Sequence, residues 1–256
     1  MGRFATTVAL YEELRTPYPP AFFREVAERL KFSKQHALID LGTGPGLLAL
    51  GFAPYVGPIT GVDPEPAMLA AARKAAERAA QPFTLIAGKA EDVPDDIGRF
   101  DVVTIGRALH WMDRNALRER LERLVAPDGV ILVCSSISAK DGRNAWLDDY
   151  NEARRDWSEE SLWSESGSAP KTHRDLAGFF AGTRFHAAEV ITVETSHEVS
   201  VRDLARRVMT FSSSSPAVLG DRAAAMLRDV EARLDPFSRD GMVGEIVVAI
   251  AQMARR

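Results

Sequence analysis

The sequence predicts an α/β fold, a doubly wound and mostly parallel sheet with a helical lid insertion, on three observations. Short β-branched or apolar runs alternate with helical patterns, a glycine-rich turn joins the first run to the first helix, and the alternation loosens only between about residues 135 and 183. Strands covered by helices on both faces read as near-continuous apolar runs, and these runs have that character.

The runs are ALIDL (37–41), ITGVD (59–63), FTLIA (83–87), FDVVTIG (100–106) and GVILVC (129–134), separated by helical patterns at Leu47–Tyr55, Pro66–Ala80 and Asp113–Val125. Pro64 and Pro66 precede the Ala-rich stretch MLAAARKAAERAA, an N-terminal proline ahead of strong helix formers, and APDG (126–129) is expected to stop the third helix before the next strand. The Trp- and Ser-rich segment 137–184 reads as a lid over the sheet edge rather than a second core. Beyond it, RFHAAEVITVETSHEV reads as a long strand, while VSVRDLARRVMTF and AVLGDRAAAMLRDVEARL read as helices. EIVVAIAQMARR is expected to close the chain as a strand, because its β-branched cluster outweighs its alanines. The expected domains are thus a cofactor-binding core with its N-terminal segment (1–136), the lid (137–184), and strands and helices completing the same domain (185–256).

A chain of 256 residues with 46% hydrophobic content can fill one α/β core. A formal net charge of -4, with Arg interspersed among Glu and Asp, supplies no concentrated positive field, so nucleic acid is not an expected partner. The helix RNALRERLERL reads as a solvated charged face. MGRFATTVALYEELR is interrupted by Glu12, Glu13 and Arg15 before it forms a signal-peptide core, and no run reaches membrane-spanning length; a cytoplasmic protein without a membrane partner, monomeric or homodimeric, is expected. The single cysteine, Cys134, lies in an apolar run where burial is its expected role, and the five histidines show no metal-ligand spacing, so no metal is expected.

The segment IDLGTGPGLLALG ends a strand at Asp40, turns through Gly42, Gly44 and Gly46, and opens a helix at Leu47. Glycines at such a turn allow positive φ and close approach of a nucleotide-like ligand. A dinucleotide would require G-x-G-x-x-G, but Leu47 stands where the third small residue belongs. Asp40 would repel a pyrophosphate and attract the ammonium and sulfonium of S-adenosyl-L-methionine, so charge favours the sulfonium cofactor. Asp63, ending the second strand, stands where a carboxylate accepts from ribose hydroxyls. After the third strand, Ala90 and Glu91 are placed to face the adenine, through backbone groups and the carboxylate respectively.

DLGTGPG with Asp63, KAEDVP, FDVVTIGRALHWMD and APDGVILV together resemble the class I S-adenosylmethionine-dependent methyltransferases, nearest to the small-molecule type 11 and trans-aconitate methyltransferase-like group. The resemblance runs over most of 8–136 and weakly over 185–215 and the final strand. It implies a seven-stranded sheet whose last strand is antiparallel, and cofactor contacts at Gly42, Thr43, Gly44, Asp63, Pro64, Met68, Ala90, Glu91 and the strand end Gly106-Arg107. Lys89 departs from the Asp that the family often carries there, which shifts the adenine contact to Glu91 or to backbone. LYEELRTPYPPAFF is similar to the family's Tyr-and-Arg-Pro-x-Tyr-Pro opening, with Thr16 in place of the first Pro. Its Tyr11, Arg15 and Tyr18 either bond the methionine carboxylate or the substrate, or anchor a helix on the sheet.

Methyl transfer is an in-line displacement, so the protein must hold a nucleophile behind the methyl group, exclude water and, where needed, remove a proton. Ligands bind at the carboxyl ends of parallel strands, which makes Arg107, His110 and Trp111 the residues to examine, with His110 as base or as a mere cap of the turn. Trp111, Trp146 and Phe211 are candidates for the substrate wall, Phe211 because the resembling enzymes line their pocket there; packing is the alternative for the tryptophans and is favoured for Trp157. O-methylation of a carboxylate or hydroxyl on a small molecule is the expected activity. The alternatives are a non-catalytic S-adenosylmethionine-binding regulator and, disfavoured by Asp40 and the loop spacing, a nicotinamide-dependent dehydrogenase.

Overall fold

Seven strands join in one sheet with the order β3-β2-β1-β4-β5-β7-β6, where β1 is Leu38–Leu41, β2 Ile59–Asp63, β3 Thr84–Ala87, β4 Phe100–Gly106, β5 Val125–Ser138, β6 His186–Ser200 and β7 Met242–Arg255. The computed structural model describes residues 8–158 and 175–256. The β1–β2, β1–β4, β2–β3 and β4–β5 pairs are parallel, as the alternating pattern predicts. The described residues fall into two compact units: one drawn from 18–135, 175–193 and 249–256, the other from 8–17, 136–158 and 194–248.

The first unit carries α2 (Pro20–Arg29), α3 (Leu47–Phe52), α4 (Pro66–Arg78), α5 (Arg114–Leu124) and α7 (Leu176–Phe180), numbered along the whole chain after α1 (Val8–Leu14), with α6 (Leu147–Asp156) between α5 and α7. Proline opens α2 and α4, where its missing N–H is no loss. Asp113 caps α5 by accepting from the Ala116 N–H at 2.8 Å. Alternate residues of each strand enter different cores. Ile39, Val103 and Ile131 pack with Leu117, Leu121 and Phe179, while Leu38, Val102 and Leu132 pack with Phe22, Phe52 and Cys134. That division is what a sheet covered on both faces requires, and it explains the unbroken apolar runs.

β5 begins at Val125, not at Gly129 as the APDG stop signal predicts. Phe100 pairs with Val125 and Val102 with Val130, so residues 126–129 stand against Asp101 alone and the register shifts there. Proline cannot donate to a ladder and glycine bends easily, so the residues that mark a turn also make a bulge.

The second unit holds α1, α6, α8 (Val201–Val208), α9 (Pro216–Leu219) and α10 (Ala223–Leu234). Trp146, Leu147, Tyr150 and Ala153 are buried with Leu204, Val208, Met226, Val230 and Leu234 in a core of their own. The described part of the segment expected as a lid thus contributes Trp146, Leu147, Tyr150 and Ala153 to this core. The helix expected over AVLGDRAAAMLRDVEARL breaks at Gly220, whose φ is +52°. Beneath the helices, Glu245 is fully buried: Oε1 accepts from Arg207 at 2.7 Å and Ser138 at 2.7 Å, Oε2 from Arg207 at 2.9 Å, and His197 Nε2 lies 3.2 Å away.

Candidate functional site

The turn after β1 is fastened on both sides. The Gly42 and Thr43 N–H groups both donate to the Val62 carbonyl at 2.9 Å, and Gly44 N–H donates to Asp63 Oδ2 at 2.9 Å. Gly42 has φ +71°, and a Cβ there would lie 2.5 Å from the Ala108 Cβ, so both backbone and space demand glycine. Gly44, at φ +54°, meets only the Met68 Sδ at 4.0 Å, which leaves its face open.

Asp40 lies beneath this turn at 1% exposure. Its Oδ2 accepts from Thr43 Oγ1 at 2.8 Å and its Oδ1 from Thr104 Oγ1 at 2.7 Å. Burial pushes its pKa up to about 6, against the pull of the two hydroxyls. Held by one hydroxyl on each oxygen, Asp40 binds the turn to β4.

Asp63 closes β2 at 8% exposure. Besides Gly44, it accepts from the Glu65 N–H through Oδ1 at 2.9 Å, and burial raises its pKa although both N–H groups oppose the shift. Each oxygen retains acceptor capacity, so the carboxylate fits a pair of ribose hydroxyls. Met68 is buried beside the turn and Pro64 is exposed. Past β3, the Ala90 side chain is buried in the core, leaving only its backbone for a ligand. Glu91 Oε1 accepts from the Asp113 N–H and the Glu91 carbonyl from Arg120 Nε at 3.2 Å, so Glu91 also anchors the start of α5.

At the end of β4, Arg107 takes φ +57°, its N–H donates to the Cys134 carbonyl at 3.2 Å, and its guanidinium lies 4.7 Å from the Tyr18 ring centroid. A Cβ on Gly106 would lie 3.5 Å from the Tyr18 hydroxyl, so Tyr18, Gly106 and Arg107 come together. A short turn, Leu109–Trp111, then buries Leu109 and exposes His110 and Trp111, whose rings lie 4.8 Å apart.

The remaining expected residues belong to the second unit. The Arg15 guanidinium lies over the Tyr11 ring at 4.9 Å and the Phe211 ring at 4.1 Å, and Nη2 donates to the Thr210 carbonyl at 3.1 Å. Trp146 is 2% exposed and its indole N–H donates to the Gly244 carbonyl at 2.9 Å, which makes it a packing residue in place of the expected substrate wall. Trp157 likewise donates to Asp229 at 2.7 Å. Trp163 and His173 lie outside the described residues.

Three positions that shape the site escaped the sequence reading. Thr104 holds Asp40, Ala108 fills the space under Gly42, and Gly61 leaves room for Thr43, whose Cγ2 and Oγ1 lie 3.0 Å from where its Cβ would stand. A lone hydroxyl within the apolar run VVTIG was the one available signal. Among the described residues, no group of three or more His, Cys, Asp or Glu could hold a metal, and no helix is long and apolar enough to cross a membrane.

A family model described as a methyltransferase domain matches residues 39–133. An uncharacterized methyltransferase of Mycobacterium bovis is 31% identical over 151 residues, 58% of this chain and 57% of the relative. The chain thus spans 57% of the length of the first curated relatives that it matches. Nocamycin O-methyltransferase of Saccharothrix syringae is 28% identical over 237 residues, 88% of this chain and 83% of the relative. The structure of a methyltransferase from Geobacter sulfurreducens in complex with S-adenosyl-L-homocysteine shares the fold, with a TM-score of 0.56 at 18% identity over 98% of each chain.

Proposed function

We propose that the chain is a class I S-adenosylmethionine-dependent methyltransferase that methylates a small molecule at a carboxylate or hydroxyl oxygen. The observation that carries the cofactor half is the buried Asp63 carboxylate, held by two backbone N–H groups at the mouth of an open glycine turn. Such an acceptor suits the ribose of S-adenosylmethionine, and a pyrophosphate against Asp63 and the buried Asp40 would meet repulsion. Likeness to an O-methyltransferase over 88% of the chain supports oxygen as the methylated atom.

S-adenosylmethionine, when bound, supplies a methyl group activated by its sulfonium. Asp63 would hold the ribose, the Gly42–Gly44 backbone the methionine end, and the backbone at Ala90 with Glu91 the adenine. His110, exposed on the turn after β4, takes the proton from a hydroxyl acceptor at a ring nitrogen, or orients a carboxylate that needs no base. Trp111, 51% exposed beside it, covers the acceptor and keeps water from the reacting atoms. Arg107 and Tyr18, stacked at the end of β4, fix that edge.

Incubation with methyl-labelled S-adenosylmethionine and a panel of small acids and phenols tests the assignment. Label recovered as methyl ester or methyl ether is expected; label found only on nitrogen or carbon acceptors overturns it.

A further inference from the structure

The arginines of α5 serve two different neighbours. Arg114 and Arg118, one turn apart, donate to the Gly178 and Ala181 carbonyls at the end of α7. Arg120 and Arg123 turn to the loop after β3, where both meet the Asp95 carboxylate, Arg123 at 3.2 Å. Arg120 reaches further: its Nε donates to the Glu91 carbonyl at 3.2 Å, and its side chain is 14% exposed against 55% for Arg123. Glu91 answers with its carboxylate, which accepts from the Asp113 N–H at the start of the same helix. Ala90 and Val93 are buried with Leu117 and Leu121 beneath these contacts. The turn Ala90–Asp92 is therefore fastened to α5 twice, through its backbone by Arg120 and through a side chain by the helix cap, over a shared apolar floor.

This is the turn against which the adenine is placed, and it lies past the end of β3, where no strand ladder fixes its backbone. A loop whose geometry is set before binding gives up less freedom when a ligand arrives. We infer that Arg120 is a positioning residue for the cofactor: by holding the Glu91 carbonyl it sets the groups of Ala90 and Glu91 that read the adenine amine. It acts through Glu91 and not on the ligand. One planar guanidinium spans a backbone carbonyl and a carboxylate at once, a reach that a single ammonium lacks. The inference rests on the cofactor reading proposed above and adds to it what makes the adenine end selective.

The test is calorimetry of the full chain with S-adenosyl-L-homocysteine, 5′-methylthioadenosine and 5′-methylthioinosine, the last having oxygen in place of the adenine amine. The wild type is expected to prefer methylthioadenosine to methylthioinosine. Arg120→Gln should weaken S-adenosylhomocysteine and methylthioadenosine alike about tenfold, because ordering of the turn is then deferred to binding. Methylthioinosine should change little, so the preference shrinks. Arg120→Lys, which keeps the charge but cannot span both partners, should shift the readings the same way. Arg123→Gln, which loses an Asp95 contact and leaves the Glu91 carbonyl held, should keep them within about twofold. A merely structural role would lower the melting temperature and leave the preference unmoved, since that ratio compares two ligands on one sample. An unmoved preference in both Arg120 variants, an equal shift in Arg123→Gln, or a wild type indifferent to the amine overturns the inference while the cofactor reading stands. A wild type that binds neither S-adenosylhomocysteine nor methylthioadenosine sinks the cofactor reading and this inference with it.

Discussion

The Asp63 carboxylate reaches from the end of β2 to the Gly44 N–H at 2.9 Å, so one side chain both closes the glycine turn and presents acceptors to whatever lies on it. Asp63→Ala removes both services. Loss of two hydrogen bonds with a charged acceptor, about 1.5–3 kcal/mol each, should raise the dissociation constant for S-adenosylmethionine at least a hundredfold. An unchanged constant in calorimetry would contradict the placement of the ribose.

Asp40 makes stability pH-dependent in an unusual direction. Its folded pKa is raised from 3.8 to about 6, so the native state binds its proton more tightly than the unfolded chain does. The stabilisation is therefore fully present below about pH 4 and is lost as pH rises through 6, to the extent of about 3 kcal/mol. Relative to Asp40→Asn, which does not titrate, the wild type should lose about that much stability between pH 4 and pH 7. Denaturant titrations at both pH values measure it, and a pH-independent difference would refute it.

His110→Ala should lower turnover by 10²–10⁴-fold with a hydroxyl acceptor, the range for a positioned acid or base, while leaving cofactor affinity within about twofold. A variant with wild-type turnover would reduce His110 to a cap of its turn.

Glu245→Gln leaves the buried Arg207 without its counter-charge. Breaking such a pair from one side costs about 3–5 kcal/mol, which chemical denaturation should register. Folded Glu245 has a lowered pKa: burial raises it, but the Arg207 hydrogen bonds and charge, Ser138 and His197 together outweigh burial. That stability is present above the ordinary carboxyl range and is lost as pH falls through it. A variant as stable as wild type at pH 7 would contradict the account.

Much of the first unit was legible because its causes are local. Strands buried on both faces leave runs such as ITGVD, a turn with positive φ leaves glycines, and Asp63 ends its strand in plain view. The second unit was illegible for the opposite reason. Trp146, Leu204 and Val230 form one core from segments far apart in the chain, and none of those segments looks like a domain by itself. Asp40 shows the same limit inside the site. Its charge was visible, but its partner Thr104 lies 64 residues away, so the tie between the turn and β4 was not.

Titration calorimetry of the intact chain with S-adenosylmethionine and, separately, with NAD tests the central claim most directly. Saturable one-site binding of S-adenosylmethionine, lost in Asp63→Ala, with no heat from NAD, is the result the site predicts. Binding of NAD in preference, or no binding of S-adenosylmethionine at all, would contradict it.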